Sequence, residues 1–312
     1  MIKQNFINDI LSCKHQSVAR AISIIENNNI DQVESLLSGI YNNTGNAYRI
    51  GVTGPPGAGK SSITNEIIKI LSPDKKVAVL SVDPTSPFTG GAILGDRIRM
   101  IEHYDNPNVF IRSIGSRGSK GGLAENISFS GDILDSAGFD VIIFETVGVG
   151  QIELDVMEAT DTTIVVLVPE SGDDIQILKA GMMEIADIFV INKSDRSGSD
   201  KICLALNNFL SILPKNEEKW SPKVIKTSVY EKYGFNKLID MVFERQSYLD
   251  TSGEKKQKDQ KRYLRQVQNI VSKEINDSFW DDNRKKTLKK ELQLQIEKRK
   301  NPLVLSKALL NE

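Results

Sequence analysis

Short apolar runs rich in β-branched residues alternate with amphipathic stretches through the middle of the chain. Helical windows lie between most of these runs, which predict strands. The predicted strands are residues 49–53, 77–82, 109–112, 141–145, 163–168, 188–192 and 224–227. Apolar strands separated by helices are typical of a parallel sheet covered on both faces, because the crossover between parallel strands is usually a helix. The pattern predicts an α/β domain.

The periodicity is helical on both sides of this domain. Residues 1–45 place apolar side chains at helical spacing, and so do two later windows, 262–278 and 284–299. Residues 251–258 have the composition of a polar linker. We therefore expect three parts.
They are an N-terminal helical extension over 1–45, an α/β domain over 46–247, and a C-terminal helical arm over 248–312. The apolar stripes of the arm would be covered either by folding back on the α/β domain or by exchange with a second subunit in a dimer.

Composition excludes several classes of protein. With 39% hydrophobic and 26% charged residues in 312, the chain can bury a core and is not predicted to be disordered. Its longest apolar runs fall short of the roughly 20 residues of a membrane-spanning helix. The first residues lack the pattern of a secretory signal, so we expect a cytoplasmic protein without membrane insertion. Two cysteines and two histidines are too few for a usual zinc or iron–sulfur site, so any metal should be a hard, oxygen-bound ion.

The charge is distributed unevenly along the chain. Residues 251–312 carry 16 Lys and Arg against 9 Asp and Glu, a net +7, whereas residues 1–250 carry a net −8. Acidic residues are interspersed in the basic tail and no aromatic ladder accompanies it. This favours solvated helix faces over a nucleic-acid surface, and no nucleic-acid partner is expected.

A phosphate-binding loop follows the first predicted strand. Residues 54–61, GPPGAGKS, match the pattern G-x-x-x-x-G-K-[ST], and an amphipathic segment begins directly behind them. Backbone N–H groups of such a loop bind phosphate oxygens, while Lys60 would contact the β- and γ-phosphates and Ser61 would be a ligand of Mg²⁺. The residues expected to bind the nucleotide here are Gly54, Gly57, Ala58, Gly59, Lys60, Ser61 and Ser62.

A later strand runs into Asn192-Lys193-Ser194-Asp195, which predicts the nucleotide base. A carboxylate only accepts hydrogen bonds, so Asp195 can pair with the adjacent N1–H and N2–H₂ donors of guanine and disfavours adenine. Asn192 could tether neighbouring loops or reach the edge of the base, and the stem of Lys193 could lie along the ring. The next strand ends in Thr227, Ser228 and Val229, whose backbone N–H groups could contact guanine O6. GTP and GDP are the expected ligands.

Acidic residues near the ends of other strands are candidate metal ligands. Glu145 ends one strand and is followed by Gly148, whose N–H could bond the γ-phosphate; Asp83 ends another, and Asp96 follows it. The carboxyl ends of strands are where α/β sheets bind ligands.
We expect Ser61, Asp83, Asp96 and Glu145 to hold Mg²⁺, and Lys60, Glu145, Gly148 and Asp83 to act in catalysis.

Three segments resemble one family of P-loop GTPases. Residues 82–100, 145–151 and 172–181 are similar to those of the MeaB/ArgK family, the GTPases associated with methylmalonyl-CoA mutase. The resemblance implies a P-loop GTPase domain with helical extensions at both ends. It also implies a homodimer that gates cobalamin loading of a B12-dependent acyl-CoA mutase and protects that mutase. Residues 172–179 match a third mobile segment that contacts the mutase, and the sequence departs from the family pattern at Glu170-Ser171.

Other functions remain open at this point. One is an ATP-dependent kinase or ATPase of a lysine/arginine/ornithine transport system, although no kinase H-R-D or D-F-G element is present and Asp195 argues against adenine. A nickel-insertion GTPase would be expected to show His or Cys clusters, and a targeting GTPase a Met-rich groove. A nucleotide-stabilised structural subunit with little turnover is not excluded by the sequence.

Overall fold

The computed structural model describes residues 2–27, 29–84, 101–103, 105–116, 122–146, 156–170, 182–212 and 219–311. The chain forms two compact units, Met1–Arg262 and Tyr263–Glu312. The larger unit contains the sheet, and the smaller one is helical.

The described strands form one seven-stranded sheet. They are β1 Tyr48–Thr53, β2 Val77–Pro84, β3 Val109–Ser116, β4 Val141–Thr146, β5 Thr162–Leu167, β6 Ile188–Ile191 and β7 Lys223–Lys226. The order is β3-β2-β4-β1-β5-β6-β7, and every neighbouring pair is parallel. The predicted α/β fold is confirmed. Strand β3 runs four residues further than predicted, through a Ser- and Gly-containing stretch that carries little strand signal of its own.

Helices cover both faces of this sheet. Those of the larger unit are α1 Gln4–Leu11, α2 His15–Glu26, α3 Ile30–Ile40, α4 Lys60–Leu71, α5 Gly122–Ser136, α6 Met182–Ile185, α7 Ser199–Ile212 and α8 Phe235–Ser252. On one face, apolar residues of α1 to α3 share a buried cluster with α5 and the sheet. On the other face, α4 and α8 bury the alternate residues of the strands. Both faces are apolar, as a sheet covered on both sides requires.

The prediction of a polar linker at residues 251–258 is wrong. Helix α8 ends at Ser252, Gly253 adopts a positive φ of 75°, and helix α9, Glu254–Phe279, begins at once. Two charged residues of this segment pair with buried side chains. Glu254 pairs with the buried Arg245 at 2.6 Å, and Lys255 pairs with the buried Asp161 at 2.9 Å. They therefore belong to a folded helix start and not to a solvated connection.

Asp161 fixes the first turns of α9 to the sheet. Its carboxylate, fully buried just before β5, accepts the backbone N–H of Arg49 at 3.0 Å, the ammonium of Lys255 at 2.9 Å and the guanidinium of Arg262 at 2.7 Å. Lys258 also donates to its backbone carbonyl at 2.6 Å. Buried charges require such partners, because an isolated carboxylate away from water is very costly.

The smaller unit consists of the rest of α9, helix α10 at Asp282–Leu292, a short 3₁₀ turn at Ile296–Lys298 and helix α11 at Pro302–Asn311. The helical window predicted over 284–299 is a continuous helix only up to Leu292, where α10 ends. Leu305 and Leu309 are buried, and Arg284 donates to the carbonyl of Leu309 at 3.1 Å. The apolar residues along α9 remain exposed in the single chain; they are Leu264, Val267, Ile270, Val271 and Ile275. In the described part of the chain, no helix combines the length and apolar character that crossing a bilayer requires.

Replacing the buried carboxylate tests this anchor. We expect Asp161→Asn to lower the free energy of unfolding by about 3–5 kcal/mol, because it leaves buried cations uncompensated. Urea unfolding at pH 7 measures the loss. Asp259→Asn is the matched control, since Asp259 also pairs with Arg262 but is 38% exposed, and it should cost within about 1 kcal/mol. Equal losses in the two variants would contradict the anchor.

The pH dependence of that stabilisation has a defined sign. The neighbouring cations Arg262 and Lys255 outweigh burial and lower the pKa of Asp161 to about 2. A carboxylate with a lowered pKa stabilises the fold fully above its unfolded pKa of about 4 and loses that contribution only as pH falls toward 2. The stability difference between the wild type and Asp161→Asn should therefore be constant from pH 5 to pH 7 and shrink only in acid.

Candidate functional site

The loop between β1 and α4 needs residues without side chains at two positions. Gly54 has a φ of 143°, and a Cβ there would lie 2.1 Å from the carbonyl oxygen of Val166 in β5. Gly59 has a φ of 89°, and a Cβ there would lie 2.3 Å from Nδ2 of Asn192. Both conformations are open to glycine and strained for other residues. The loop therefore packs directly against β5 and against the loop that follows β6.

Helix α4 begins directly behind this loop. Its first residue is Lys60, and its N-cap residue is Gly59, which has a left-handed backbone and no side chain. The side chain of Ser62 is exposed, whereas Lys60 and Ser61 are buried. The N-terminus of a helix behind a glycine-rich loop, with the positive end of the helix dipole, favours phosphate at such a position.

Lys60 is held across the phosphate loop. Its ammonium donates to the carbonyl oxygens of Gly54 at 2.8 Å and Pro55 at 3.1 Å. The remaining loop residues, Gly57 and Ala58, supply carbonyl oxygens to the neighbouring loop. The cation therefore lies next to the N–H groups that would receive phosphate oxygens, and both attract the same anionic group.

A buried hydroxyl and a buried carboxylate meet beside the loop. The Ser61 hydroxyl donates to Oε1 of Glu145 at 2.5 Å, and Glu145 is 2% exposed at the end of β4. Asp83 is the second-last residue of β2, which pairs in parallel with β4, so its backbone lies at the same carboxyl edge of the sheet. Oxygen donors of this kind fit Mg²⁺ and not a soft metal. Two further predicted residues, Asp96 and Gly148, lie outside the described residues.

The loop after β6 is bonded to the phosphate loop. The Asn192 side-chain amide donates to the carbonyl of Ala58 at 2.9 Å, and the ammonium of Lys193 donates to the carbonyl of Gly57 at 2.9 Å. The Thr227 hydroxyl donates to Oδ1 of Asn192 at 3.3 Å. Asn192 and Thr227 are buried, so the two bonds of the Asn192 side chain are shielded from water, whereas the Lys193 bond is exposed. Three predicted segments, from different parts of the chain, form one site.

Asp195 is exposed and oriented by a neighbour. The Ser228 hydroxyl donates to its Oδ1 at 2.5 Å, and this hydrogen bond lowers the pKa of the Asp195 carboxyl below its ordinary value. The carboxylate is therefore ionised at neutral pH and retains acceptor capacity for a ligand. Val229, the next residue, is 36% exposed beside it.

The sequence did not reveal two contacts of this site. Ser228 was expected to contribute a backbone N–H, yet its hydroxyl is a partner of Asp195. Arg196, directly after Asp195, forms an ion pair with Glu170, the residue at which the sequence departs from the family pattern. Arg196 directly follows the residues that are predicted to recognise the base, and this position could have indicated that it belongs to the site.

Comparison with known proteins identifies the family. Residues 18–284 match the family described as methylmalonyl Co-A mutase-associated GTPase MeaB. The chain belongs to this family. As a MeaB-family member it is a GTPase, an enzyme that binds guanine nucleotides and hydrolyses GTP.

Similar proteins come from distant organisms. A Pyrococcus abyssi protein named as a GTPase is 46% identical over 260 residues, covering 82% of this chain and 80% of its own length. GTPase ArgK of Escherichia coli is 36% identical over 244 residues, covering 77% of this chain and 74% of its own length. The mitochondrial methylmalonic aciduria type A homolog of Caenorhabditis elegans is 35% identical over 237 residues, covering 74% of this chain and 59% of its own length. A crystal structure named LAO/AO transport system kinase superposes with a TM-score of 0.74 at 25% identity, covering 100% of this chain and 98% of that one.

The close approach at Gly59 predicts the effect of one methyl group. Gly59→Ala should displace the Asn192 amide and strain the loop, and we expect GDP affinity to fall by at least about tenfold, since a lost buried hydrogen bond costs about 1–3 kcal/mol. Calorimetric titration with GDP measures it. Gly138→Ala is the control, because Gly138 has a similar φ of 81° with nothing within 4 Å of the added Cβ. That variant should lose stability but not GDP affinity; matching GDP affinities in the two variants would count against the contact.

Proposed function

We propose that this MeaB-family GTPase is Mg²⁺-dependent and that its nucleotide state controls cobalamin loading and protection of a B12-dependent acyl-CoA mutase. The observation that carries the nucleotide part is the bonding of the Asn192 loop to the phosphate loop, next to the oriented carboxylate of Asp195. The mutase part rests on the family, whose description names methylmalonyl Co-A mutase.

Guanine selection follows from the chemistry of Asp195. Its carboxylate can accept both N1–H and N2–H₂ of guanine, whereas adenine presents an N1 lone pair that repels it. The hydrogen bond from Ser228 holds one carboxylate oxygen in place, which reduces the cost of ordering the side chain on binding. Asn192 and Lys193 keep this carboxylate at a fixed position relative to the phosphate loop.

Hydrolysis assigns roles to the residues around the phosphates. Lys60 exchanges the carbonyls of Gly54 and Pro55 for oxygens of the β- and γ-phosphates. Ser61 and Glu145 would hold Mg²⁺, together with Asp83 and Asp96, and the bound ion would neutralise charge that develops on the phosphates. Gly148 would donate its N–H toward the γ-phosphate. Removing one preorganised contact of the Lys60 type typically lowers a rate by about 10² to 10³.

Changing the carboxylate to an amide tests base selection. Asp195→Asn replaces an acceptor by a group with a donor, so we expect GDP affinity to fall by at least about 100-fold and XDP to bind better than GDP, because each hydrogen bond to a charged group is worth about 1.5–3 kcal/mol. Competition against a fluorescent GDP analogue measures both. Asp200→Asn, which removes the same charge from an exposed residue paired with Lys226, should bind like the wild type. If the Asp195→Asn protein kept the base preference of the wild type, Asp195 would be only a turn residue.

The C-terminal arm is proposed to pair with a second copy of the chain. The exposed apolar residues of α9 form a stripe that a single chain leaves in water, and a two-fold interface between identical surfaces is the commonest way to cover one. A homodimer in the cytoplasm is therefore our proposal. The alternative of a transport kinase is supported by the names of relatives alone, and Asp195 argues against ATP.

Client binding is tested by capture from native extract. Immobilised protein loaded with GDP or with a non-hydrolysable GTP analogue should retain a cobalamin-dependent mutase, and the amount retained should differ between the two nucleotides. Mass spectrometry identifies the client. Lys60→Ala, which cannot hold the phosphates properly, should lose the difference between nucleotides. Failure of both loaded forms to retain any such mutase would remove the client from the proposal while leaving the GTPase assignment intact.

A further inference from the structure

Two buried hydroxyl groups lie near the proposed metal site. Thr64 in α4 is 0% exposed and Ser81 in β2 is 1% exposed. In the described part of the chain, neither Thr64 Oγ1 nor Ser81 Oγ has a hydrogen-bond partner. Leaving a buried hydroxyl unsatisfied costs about 1–3 kcal/mol, so such groups are rare and usually indicate a water molecule or an ion that they serve.

Ser81 lies beside Glu145 in the sheet. The two residues are register partners in the parallel pairing of β2 with β4. Val79 in β2 and Ile143 in β4 are each two positions earlier in their strands and pack in the cluster beneath α4. Because side chains alternate along a strand, Ser81 and Glu145 are on that same face. The Ser81 hydroxyl is therefore next to the Glu145 side chain, under α4.

Thr64 approaches the same region from the helix. It follows Ser61 by three residues, and residues three apart lie on one face of a helix. Ser61 itself donates to Glu145 at 2.5 Å. Both Ser61 and Thr64 are buried. The interface between α4 and the carboxyl-terminal parts of β2 and β4 thus contains three hydroxyl groups and one carboxylate, next to the apolar cluster beneath α4.

We propose that Ser81 and Thr64 are positioning residues for the Mg²⁺ of this GTPase, which hydrogen-bond the water molecules that complete the coordination of the ion. Mg²⁺ keeps several of its waters when a protein holds it by one or two carboxylates and by phosphate. Outer-shell partners orient such ligands, and their loss typically lowers metal affinity about 10- to 100-fold. The inference rests on the proposed Mg²⁺-dependent function and adds to it two residues that no nucleotide motif contains.

Two conservative variants test the assignment. Ser81→Ala and Thr64→Val remove the hydroxyls with little change of shape. The measurement is the release rate of a fluorescent GDP analogue as free Mg²⁺ is varied, and in each variant the Mg²⁺ concentration for half-maximal slowing of release should rise about tenfold or more. Ser113→Ala is the matched control. Ser113 is the register partner of Ser81 on β3, on the side away from Glu145, and its variant should match the wild type.

Thermal unfolding distinguishes this role from a structural one. Without nucleotide and Mg²⁺, removal of an unsatisfied hydroxyl should leave the melting temperature unchanged or raised. With Mg²⁺ and GDP, both variants should gain less stabilisation than the wild type, because the gain follows ligand affinity. An unchanged Mg²⁺ dependence in both variants would overturn the inference. Release from the wild type that does not respond to Mg²⁺ would instead overturn the proposed metal dependence itself.

Discussion

The nucleotide site depends on one close approach between two loops. Asn192 Nδ2 occupies the space that any side chain at position 59 would need, and it donates to the carbonyl of Ala58. The loop after β6 is the one proposed to recognise the base, and the loop before α4 is the one proposed to bind phosphate. Since the amide of Asn192 joins them, the distance between base and phosphate recognition is set by the protein before a ligand arrives, which reduces the entropy lost on binding.

The parallel sheet explains why these loops meet. Strands β4, β1, β5 and β6 are consecutive neighbours, so their carboxyl ends lie along one edge, where α/β folds bind ligands. Glu145 is the second-last residue of β4, the phosphate loop follows β1, and Asn192 follows β6. The same arrangement brings the Ser61 hydroxyl to Glu145, so the proposed nucleotide and metal sites both include helix α4.

Most of the fold and the motifs of the site could be predicted from sequence, because both depend on local patterns. Buried parallel strands have continuous apolar runs, and a phosphate loop has a fixed spacing of glycines. The start of α9 could not be predicted. Its residue Lys255 pairs with Asp161, which lies 94 residues earlier in the chain, and a lysine without a visible partner is expected to be exposed to solvent. Thr64 and Ser81 carry no motif either. They are candidates because they are buried beside Glu145. Only the strand register and the position of Thr64 on its helix reveal this.

The most direct test of this account is the affinity of Asn192→Ala for GDP. If the amide of Asn192 joins the two halves of the site, its loss leaves the Ala58 carbonyl without that donor and frees the base loop, at a cost of about 1–3 kcal/mol. Calorimetry should then show GDP binding weakened by about tenfold or more, with guanine still preferred over adenine because Asp195 is intact. An Asn192→Ala protein that binds GDP as tightly as the wild type would contradict the account.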